Sequence, residues 1–285
     1  MSPQHRVADG DIDGRARSEN FPVALRVLPR RHREALSRIY DVARHIDDLG
    51  DVVQGDRVAQ LTSYAVDLRR CAAGSGQLPQ DPRLRRLQPF ALKLDLPLDQ
   101  FDALIRANLM DQRVTTYQTF ADLLDYCALS AHPIGRLVLA AFEQHGTIRE
   151  QRSDKVCAAL QILEHCQDVA EDHAQGRVYL PVDDLVRRGL SGADLALPEH
   201  RGAARAVVLE QVTRCRDLLV AGPELVADLR GWARIAVAGF VAGALATADA
   251  IERSHGEVWD AVPSPRRVDV LRHALRLLIT ERKPA

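Results

Sequence analysis

The sequence predicts an all-α protein that folds as a single domain. Apolar residues recur at spacings of three and four along most of the chain, which is the periodicity of helices that pack on one side. Convincing strand alternation is absent from the sequence, as are internal repeats, a dinucleotide glycine fingerprint and a P-loop. The 285 residues are also enough to bury one large core.

The order of the helices follows from this spacing and from the turn residues between the apolar segments. We expect helices at residues 31–49, 56–71, 82–94, 98–112, 117–130, 134–145, 153–173, 182–188, 199–220, 223–229, 232–253 and 265–282. Segments 74–82 and 189–198 are expected to be loops. His132-Pro133 predicts a bend, which is either an ordinary helix corner or a kink that opens towards a cavity.

Composition excludes several classes of protein. Hydrophobic residues make up 46% of the chain and charged residues 27%, which is typical of a soluble globular protein. The formal net charge of −1 gives no basic field that would attract nucleic acid. The five cysteines form neither a Cys-x-x-Cys pair nor a zinc-binding spacing, which favours reduced thiols in a cytosol.

The ends of the chain and its apolar segments bear on localisation. Residues 1–17 are polar and are expected to form a disordered tail before a helical domain at 18–285. We find no signal-peptide pattern at the N-terminus. The longest charge-free apolar run, residues 235–248, is too short to span a bilayer and predicts a core helix. These features predict a cytoplasmic protein, and peripheral contact with the inner membrane face is a further hypothesis.

The most informative stretch is an acidic helix at residues 40–51. Ile39, Val42, Ala43, Ile46 and Leu49 form its packing stripe. Another face carries polar residues at spacings of three and four, which are Tyr40, Arg44, Asp47, Asp48 and Asp51. Clustered carboxylates repel one another unless a cation lies between them. Taken alone, the stretch fits a magnesium site and a solvated acidic helix end equally well.

A second acidic helix follows more than a hundred residues later. Its first half has few polar residues, so we expect it to be central and buried. Gln161, Glu164, Asp168 and Asp172 nevertheless lie one above another along it. Carboxylates in such a position need a cation or partners, although a solvated face is the alternative for Asp172. Arg177 and Tyr179 follow closely enough to fold back over the site, and arginine binds phosphate in a bidentate manner.

The two stretches together predict a diphosphate site held through Mg²⁺. Magnesium prefers oxygen ligands and often bridges carboxylates to substrate phosphates. A diphosphate whose charge is neutralised in this way becomes a good leaving group.

These motifs resemble those of the squalene/phytoene synthase family over most of the chain, from about residue 18 to the last helices. The first family motif, Tyr-x-x-x-Arg-x-x-Asp-Asp-x-x-Asp, matches residues 40–51, and the second, Asp-x-x-x-Asp followed by Arg-x-Tyr, matches residues 168–179. A third, Tyr-Cys-x-x-x-Ala-x-x-x-Gly, begins at Tyr126. Any one motif is a weak indication, whereas three in this order are specific.

Within the family, the closer resemblance is to the hydroxysqualene synthases of bacterial hopanoid pathways. It depends on three segments, at residues 19–24, 130–136 and 167–169. The sequence departs from many family members at Glu164, where they have asparagine, so we carry over Asp168 and Asp172 more firmly than Glu164.

The resemblance implies an isoprenoid-synthase (terpenoid-synthase) helical bundle around a central apolar cavity. It also implies Mg²⁺ as cofactor and presqualene diphosphate as substrate, which would ionise, rearrange and be captured by water. Other enzymes would supply this substrate and reduce the product. The metal ligands would be Asp47, Asp48, Asp51, Glu164, Asp168 and Asp172. Arg44 and Arg177 would bind diphosphate, Asn20 and Phe21 would lie near the substrate, and Tyr40, Tyr126, Tyr179 and Gln167 would line the reacting end.

Two other functions remain open from the sequence. One is a squalene or phytoene synthase that condenses two prenyl diphosphates. The other is a non-catalytic helical assembly factor, against which the retention of five aspartates argues. For Gln167, a helix-surface amide is as good an interpretation as a role in positioning diphosphate or water.

Overall fold

The computed structural model describes residues 28–72 and 76–279. Over those residues the chain is helical and contains no strand, which confirms the predicted all-α class. Thirteen α-helices are found in the described part, namely α1 Arg30–Asp51, α2 Arg57–Leu68, α3 Pro82–Leu94, α4 Asp99–Asp111, α5 Phe120–Ser130, α6 His132–Ala141, α7 Thr147–Gln167, α8 Val169–Ala174, α9 Val182–Arg187, α10 Arg201–Leu219, α11 Ala221–Asp228, α12 Gly231–Arg253 and α13 Arg267–Ile279. Three short 3₁₀ turns lie at Arg69–Cys71, Gly192–Ala196 and Pro198–His200.

Helix α7 is the centre of the fold, as its apolar sequence predicts. It packs against α5, α6, α10, α11 and α12. Val156, Ala159 and Leu163 on its apolar side are at most 3% exposed. Helices α1, α4, α5 and α6 pack with one another on one side of α7, and α13 packs on α12 and α11 on another.

The predicted packing stripe of α1 is confirmed. Its five members are all buried, and Val42 and Ile46 are fully inaccessible to solvent. The apolar side holds α1 against α3, α4 and α6. This packing fixes the rotation of α1, and therefore the direction in which its polar face points.

Several predicted boundaries differ from the structure. The helix expected at residues 153–173 begins earlier, at Thr147, and breaks at Asp168 into α7 and α8. Helix α6 ends at Ala141 rather than at residue 145. At the corner between α5 and α6, Pro133 lies in the first turn of α6, where a missing N–H costs no hydrogen bond.

One described helix, Gly231–Arg253, is long and apolar enough to cross a membrane by length and composition alone. Of its most apolar window, 67% is buried inside the fold. This agrees with the expectation that residues 235–248 belong to a core helix.

Candidate active site

A cavity of about 390 Å³ lies between α1, α4, α5, α6 and α7. Its walls differ in character. The apolar part is formed by Leu36, Ile39, Ala43, Leu104, Ala107, Ile134 and Val138. The polar part contains most of the side chains that the two acidic stretches predict, so the cavity joins an apolar wall to a strongly acidic one.

The first acidic wall comes from α1. Tyr40, Arg44, Asp47 and Asp51 line the cavity, which brings together residues spaced by three and four. Asp48 does not line it: its carboxylate lies 3.3 Å from the Arg44 guanidinium on the half-exposed side of the helix. The sequence spacing cannot tell which of Asp47 and Asp48 faces the cavity, because adjacent residues lie only about 100° apart around a helix.

Asp47 is held by a residue that the sequence analysis missed. Asn108 of α4 donates a side-chain hydrogen bond to Asp47 Oδ1 at 3.2 Å. Burial nevertheless dominates and raises the pKa of Asp47 to about 7, against an ordinary value of 3.8. The buried carboxyl group of Asp47 is therefore hard to ionise unless a nearby cation balances its negative charge.

Gly50 explains how Asn108 comes so close to α1. A Cβ atom at position 50 would lie 2.1 Å from Asn108 Oδ1, which is far inside van der Waals contact. The absence of a side chain at Gly50 therefore makes room for the amide that binds Asp47.

We expect Gly50→Ala to destabilise the protein by about 1–3 kcal/mol through this overlap. That result would oppose the helix preference for alanine, which favours the substitution by about 1 kcal/mol. Urea unfolding measures the effect. Gly243→Ala is the matched control, because Gly243 is buried in α12 with open space around its Cβ position.

The double variant Gly50→Ala/Asn108→Ser tests the cause of that loss. Shortening the side chain at position 108 should restore stability if the overlap is responsible. A loss that is equal in the single and double variants would contradict this explanation.

The second acidic wall comes from α7 and α8. Gln161, Glu164, Asp168 and Asp172 line the cavity in the predicted order. Asp168 occupies the break between the two helices. Burial, followed by the charges of Glu164 and Asp172, raises the pKa of Asp168 to about 6.

Residues 176–181 form a strap that crosses from α8 to α9. Gly176, with a φ of +79°, turns the chain back after α8. An isolated parallel bridge between Thr116 and Val178 then fixes the strap beside the segment that precedes α5. The strap places Arg177 and Tyr179 in the cavity wall, as predicted from their distance along the chain.

Arg177 joins the two walls. Its Nη2 lies 2.7 Å from Asp51 Oδ1, although the two residues are 126 positions apart in the sequence. Its backbone N–H also donates to the Asp172 carbonyl at 2.9 Å. A single arginine therefore contacts both acidic motifs.

Aromatic rings pack beside the carboxylates. Tyr179 stacks on His165 with ring centroids 3.7 Å apart, and it packs on Tyr117 and Tyr126 at 5.7 Å. Tyr126 donates its hydroxyl to Asp111 Oδ2 at 2.9 Å. Burial raises the pKa of Asp111 to about 6.

Asp111, His165 and Tyr117 also escaped the sequence analysis. Asp111 could have been found, since it follows Leu104, Ala107 and Asn108 at helical spacing on one face of α4. Nothing in the local sequence marks His165 or Tyr117, whose partners come from other segments.

Besides Asp48, three predicted residues are not among those that line the cavity. Gln167 does not line the cavity, and its side-chain amide donates to the Pro263 carbonyl at 2.6 Å. That contact joins α7 to the loop before α13, and it agrees better with a helix-surface amide than with a role in positioning diphosphate or water. Asn20 and Phe21 lie outside the described residues, as does the predicted tail at 1–17.

Magnesium was predicted between the walls, and the donor atoms can be compared with that prediction. Within residues 28–72 and 76–279, no three His, Cys, Asp or Glu side chains converge as a ready-made metal cluster. Two residues of the cavity lining each have a buried carboxylate oxygen without a hydrogen-bond partner, Asp111 Oδ1 and Asp172 Oδ2, and the latter lies 3.7 Å from His165 Nδ1. Because Mg²⁺ keeps several waters and commonly uses one or two carboxylates plus substrate phosphates, these oxygens fit a metal shared with a diphosphate better than a closed cage.

The raised carboxylate pKa values make the stability of the metal-free protein depend on pH. The folded state binds the Asp47 proton more tightly than the unfolded state does. The stability gained from this protonation is therefore fully present below about pH 4 and is lost as pH rises to about 7. We expect Asp47→Asn to stabilise the metal-free protein, by about 2 kcal/mol more at about pH 8 than at about pH 5.

Urea unfolding in EDTA at the two pH values tests this expectation. Asp48→Asn is the control for removing a charge one position away, outside the cavity lining. An Asp47→Asn effect that is the same at both pH values would be inconsistent with the raised pKa.

Comparison with known proteins gives concordant results. The family model for squalene/phytoene synthase matches residues 15–274. The chain is 33% identical to the hydroxysqualene synthase of Rhodopseudomonas palustris over 76% of its length and 73% of that protein. It is 31% identical to the phytoene synthase of Mycobacterium tuberculosis over 75% and 71%. Among solved structures, the squalene synthase HpnC from Alicyclobacillus acidocaldarius superposes with a TM-score of 0.77 at 36% identity, covering 86% of this chain and 93% of that one.

Proposed function

The chain belongs to the squalene/phytoene synthase family of isoprenoid-synthesising enzymes, and from this premise we propose that it is a hydroxysqualene synthase. It would convert presqualene diphosphate and water into hydroxysqualene and diphosphate. Family membership confirms the resemblance that the three motifs predicted.

One observation carries the proposal: the two acidic walls meet through Arg177 and Asp51 over a cavity whose other part is apolar. A prenyl diphosphate has this division, with a hydrocarbon chain at one end and a multiply charged anion at the other. The division of the site into apolar and charged walls therefore supports this substrate class.

The reaction balances without an oxidant or a reductant. The bond between the substrate carbon and the diphosphate oxygen breaks, and both electrons leave with the diphosphate. The cyclopropylcarbinyl cation rearranges and its ring opens. The oxygen of a water molecule then adds to the cation and loses one proton, which gives the alcohol.

The residues of the two walls have different roles in this reaction. Arg44 and Arg177 bind the diphosphate oxygens, and the faces of Tyr126 and Tyr179 stabilise the cation. Asp47, Asp51, Asp168 and Asp172 would hold Mg²⁺. When bound, the metal neutralises charge on the departing diphosphate. The apolar side chains keep bulk water away from the cation until rearrangement is complete.

Similarity supports the hydrolytic reaction in particular. The chain is 33% identical to a hydroxysqualene synthase and 31% identical to the phytoene synthase named above. Segment 130–136, which resembles that subgroup, contributes Ser130 and Ile134 to the cavity wall. The segment is therefore placed where it can influence the fate of the cation.

A second candidate is a synthase that condenses two prenyl diphosphates head to head. The nearly equal similarity to a phytoene synthase favours it. It would require two diphosphates at the acidic walls at once, and its carbon–carbon bond would form before any cyclopropane is consumed.

Incubation with Mg²⁺ and no reductant distinguishes the two. Farnesyl diphosphate and presqualene diphosphate are supplied separately, and the products are identified by mass spectrometry. We expect hydroxysqualene from presqualene diphosphate, with no turnover of farnesyl diphosphate. Water labelled with ¹⁸O should place the label in the alcohol.

Other outcomes have defined meanings. Turnover of farnesyl diphosphate would favour the condensing synthase and leave the site assignment intact. If neither substrate reacts, titration of Mg²⁺ with a diphosphate analogue separates the remaining cases. Metal-dependent binding would indicate another prenyl substrate, whereas no binding would favour the non-catalytic assembly factor.

A further inference from the structure

Helix α13 carries an apolar stripe that the fold leaves uncovered. Val268, Leu271, Leu275 and Ile279 are 66%, 60%, 50% and 76% exposed. Their spacings of three and four place them on one side of the helix. We call these four residues the α13 face. Scattered exposed apolar residues are ordinary on a surface, but four in line form a continuous patch.

The opposite side of α13 accounts for how the helix is attached. Leu277 is 4% exposed, and Val270, Ala274 and Leu278 pack against the core. The helix lies against α12, where Arg234 donates to the Leu278 carbonyl at 2.9 Å. Because this second apolar side already anchors the helix, the α13 face is not needed for folding.

The exposed charged residues of α13 itself are arginines. At about 100° per residue, Arg267 lies on one side of the stripe and Arg276 on the other, and both are exposed. The acid within Arg267–Ile279 is Asp269, which is buried and paired with Arg253 at 2.9 Å and with Arg272 at 3.3 Å. The exposed side of α13 therefore presents apolar and positively charged groups together.

Two further exposed apolar residues lie at the start of α12, where Arg234 contacts the end of α13. Trp232 and Ile235, which flank Arg234 in sequence, are 38% and 39% exposed. Tryptophan is favoured at the boundary between lipid and water, because its ring is apolar and its N–H is polar.

We propose that the α13 face docks this protein on the surface of an anionic lipid bilayer. An apolar stripe flanked by arginines is the arrangement of helices that lie in the plane of a membrane surface. The arginines would lie at the depth of the lipid phosphates, and the stripe would enter the acyl boundary. The docking depends on the helix and not on which prenyl diphosphate the cavity takes.

Charge favours lipid over a second copy of the chain as the occupant. A two-fold interface places the same patch against itself, so Arg267 and Arg276 would face a surface that also carries them. Like charges brought together at an interface oppose association. An anionic bilayer supplies the complementary charge along the whole helix.

Sedimentation with vesicles tests the proposal on the full chain. The protein is mixed with vesicles of phosphatidylcholine alone, or of phosphatidylcholine and phosphatidylglycerol in equal amounts. We expect binding to the anionic vesicles that weakens with added salt, and little binding to the neutral ones.

Two pairs of variants locate the docking surface. Leu271→Ser/Leu275→Ser should lower the partition coefficient by about tenfold or more. The control pair Leu78→Ser/Leu92→Ser removes two exposed leucines outside α13 and should leave it unchanged. Arg267→Gln/Arg276→Gln should lower it by about fivefold per charge, and the control pair Arg85→Gln/Arg86→Gln on α3 should not.

Circular dichroism and light scattering accompany each variant to confirm folding and to measure oligomeric state. The proposal is overturned if the parent protein does not bind anionic vesicles, or if the control pairs reduce binding as much as the α13 pairs. It is also overturned if the parent is a dimer that Leu271→Ser/Leu275→Ser converts to a monomer, because the face would then join two copies.

Discussion

Replacing Asp168 with asparagine is expected to lower kcat/KM by about a thousandfold or more while the helical circular dichroism stays near that of the parent. Asp168 lies at the break between α7 and α8, where burial and then the charges of Glu164 and Asp172 raise its pKa to about 6. Asparagine has nearly the same size but cannot supply the negative charge that a bound cation needs. Because the substitution relieves repulsion, the fold should be stable without metal.

The control for Asp168→Asn is Glu171→Gln. Glu171 is an exposed acid on α8 that also contributes to the raised pKa of Asp168 but does not line the cavity. We expect its kcat/KM to stay within a few-fold of the parent. Retention of activity by Asp168→Asn within tenfold would contradict the assignment of this carboxylate to the metal site. Titration of Mg²⁺ with a diphosphate analogue should show the same contrast between the two variants.

Arg177→Gln is expected to reduce kcat/KM by about a hundredfold to a thousandfold. Glutamine retains a hydrogen-bond donor but loses the positive charge and the bidentate geometry that suit a diphosphate. Folding stability should change little, because Arg177 pairs with Asp51 at the partly exposed rim of the cavity. The main effect of the substitution should therefore be on kcat/KM. Steady-state kinetics and urea unfolding of one preparation measure both quantities.

A matched arginine shows whether losing any ion pair would suffice. Arg216→Gln breaks pairs with Glu252 and Asp249 at 2.6 and 2.7 Å, away from the cavity lining. It should leave kcat/KM unchanged. Binding of inorganic pyrophosphate by calorimetry, in the presence of Mg²⁺, provides an independent readout. If Arg177→Gln binds pyrophosphate as tightly as the parent, Arg177 holds Asp51 and does not contact the diphosphate.

The parts of the site that the sequence could predict are those in which one helix decides the outcome. The buried stripe of α1 fixes which side points inward, so the cavity positions of Tyr40, Arg44 and Asp51 follow from counting. The helix break at Asp168 could not be predicted by counting, because Val169 continues the apolar pattern across it.

Contacts between helices set the rest. Asn108 approaches Asp47 from α4, and the space it uses is left by Gly50, whose role the sequence shows only as a weak point in a helix. Tyr126 meets Asp111 across the packing of α4 with α5. The sequence favoured neither interpretation of Gln167, and the partner of its amide, the Pro263 carbonyl, is visible only in the structure. Such pairings depend on how helices cross, which the periodicity of a single segment does not contain.

The contact between Arg177 and Asp51 closes a loop of 126 residues. Closing a flexible loop of that length has an entropic cost of about 4 kcal/mol, whereas a partly exposed ion pair stabilises the fold by at most about 1 kcal/mol. The pair therefore cannot hold the two halves of the chain together, and the buried apolar contacts of α1 and α7 must do so. Under the proposed function, Arg177 would therefore exchange Asp51 for a phosphate oxygen at a small energetic cost, without a rearrangement of the helices around it.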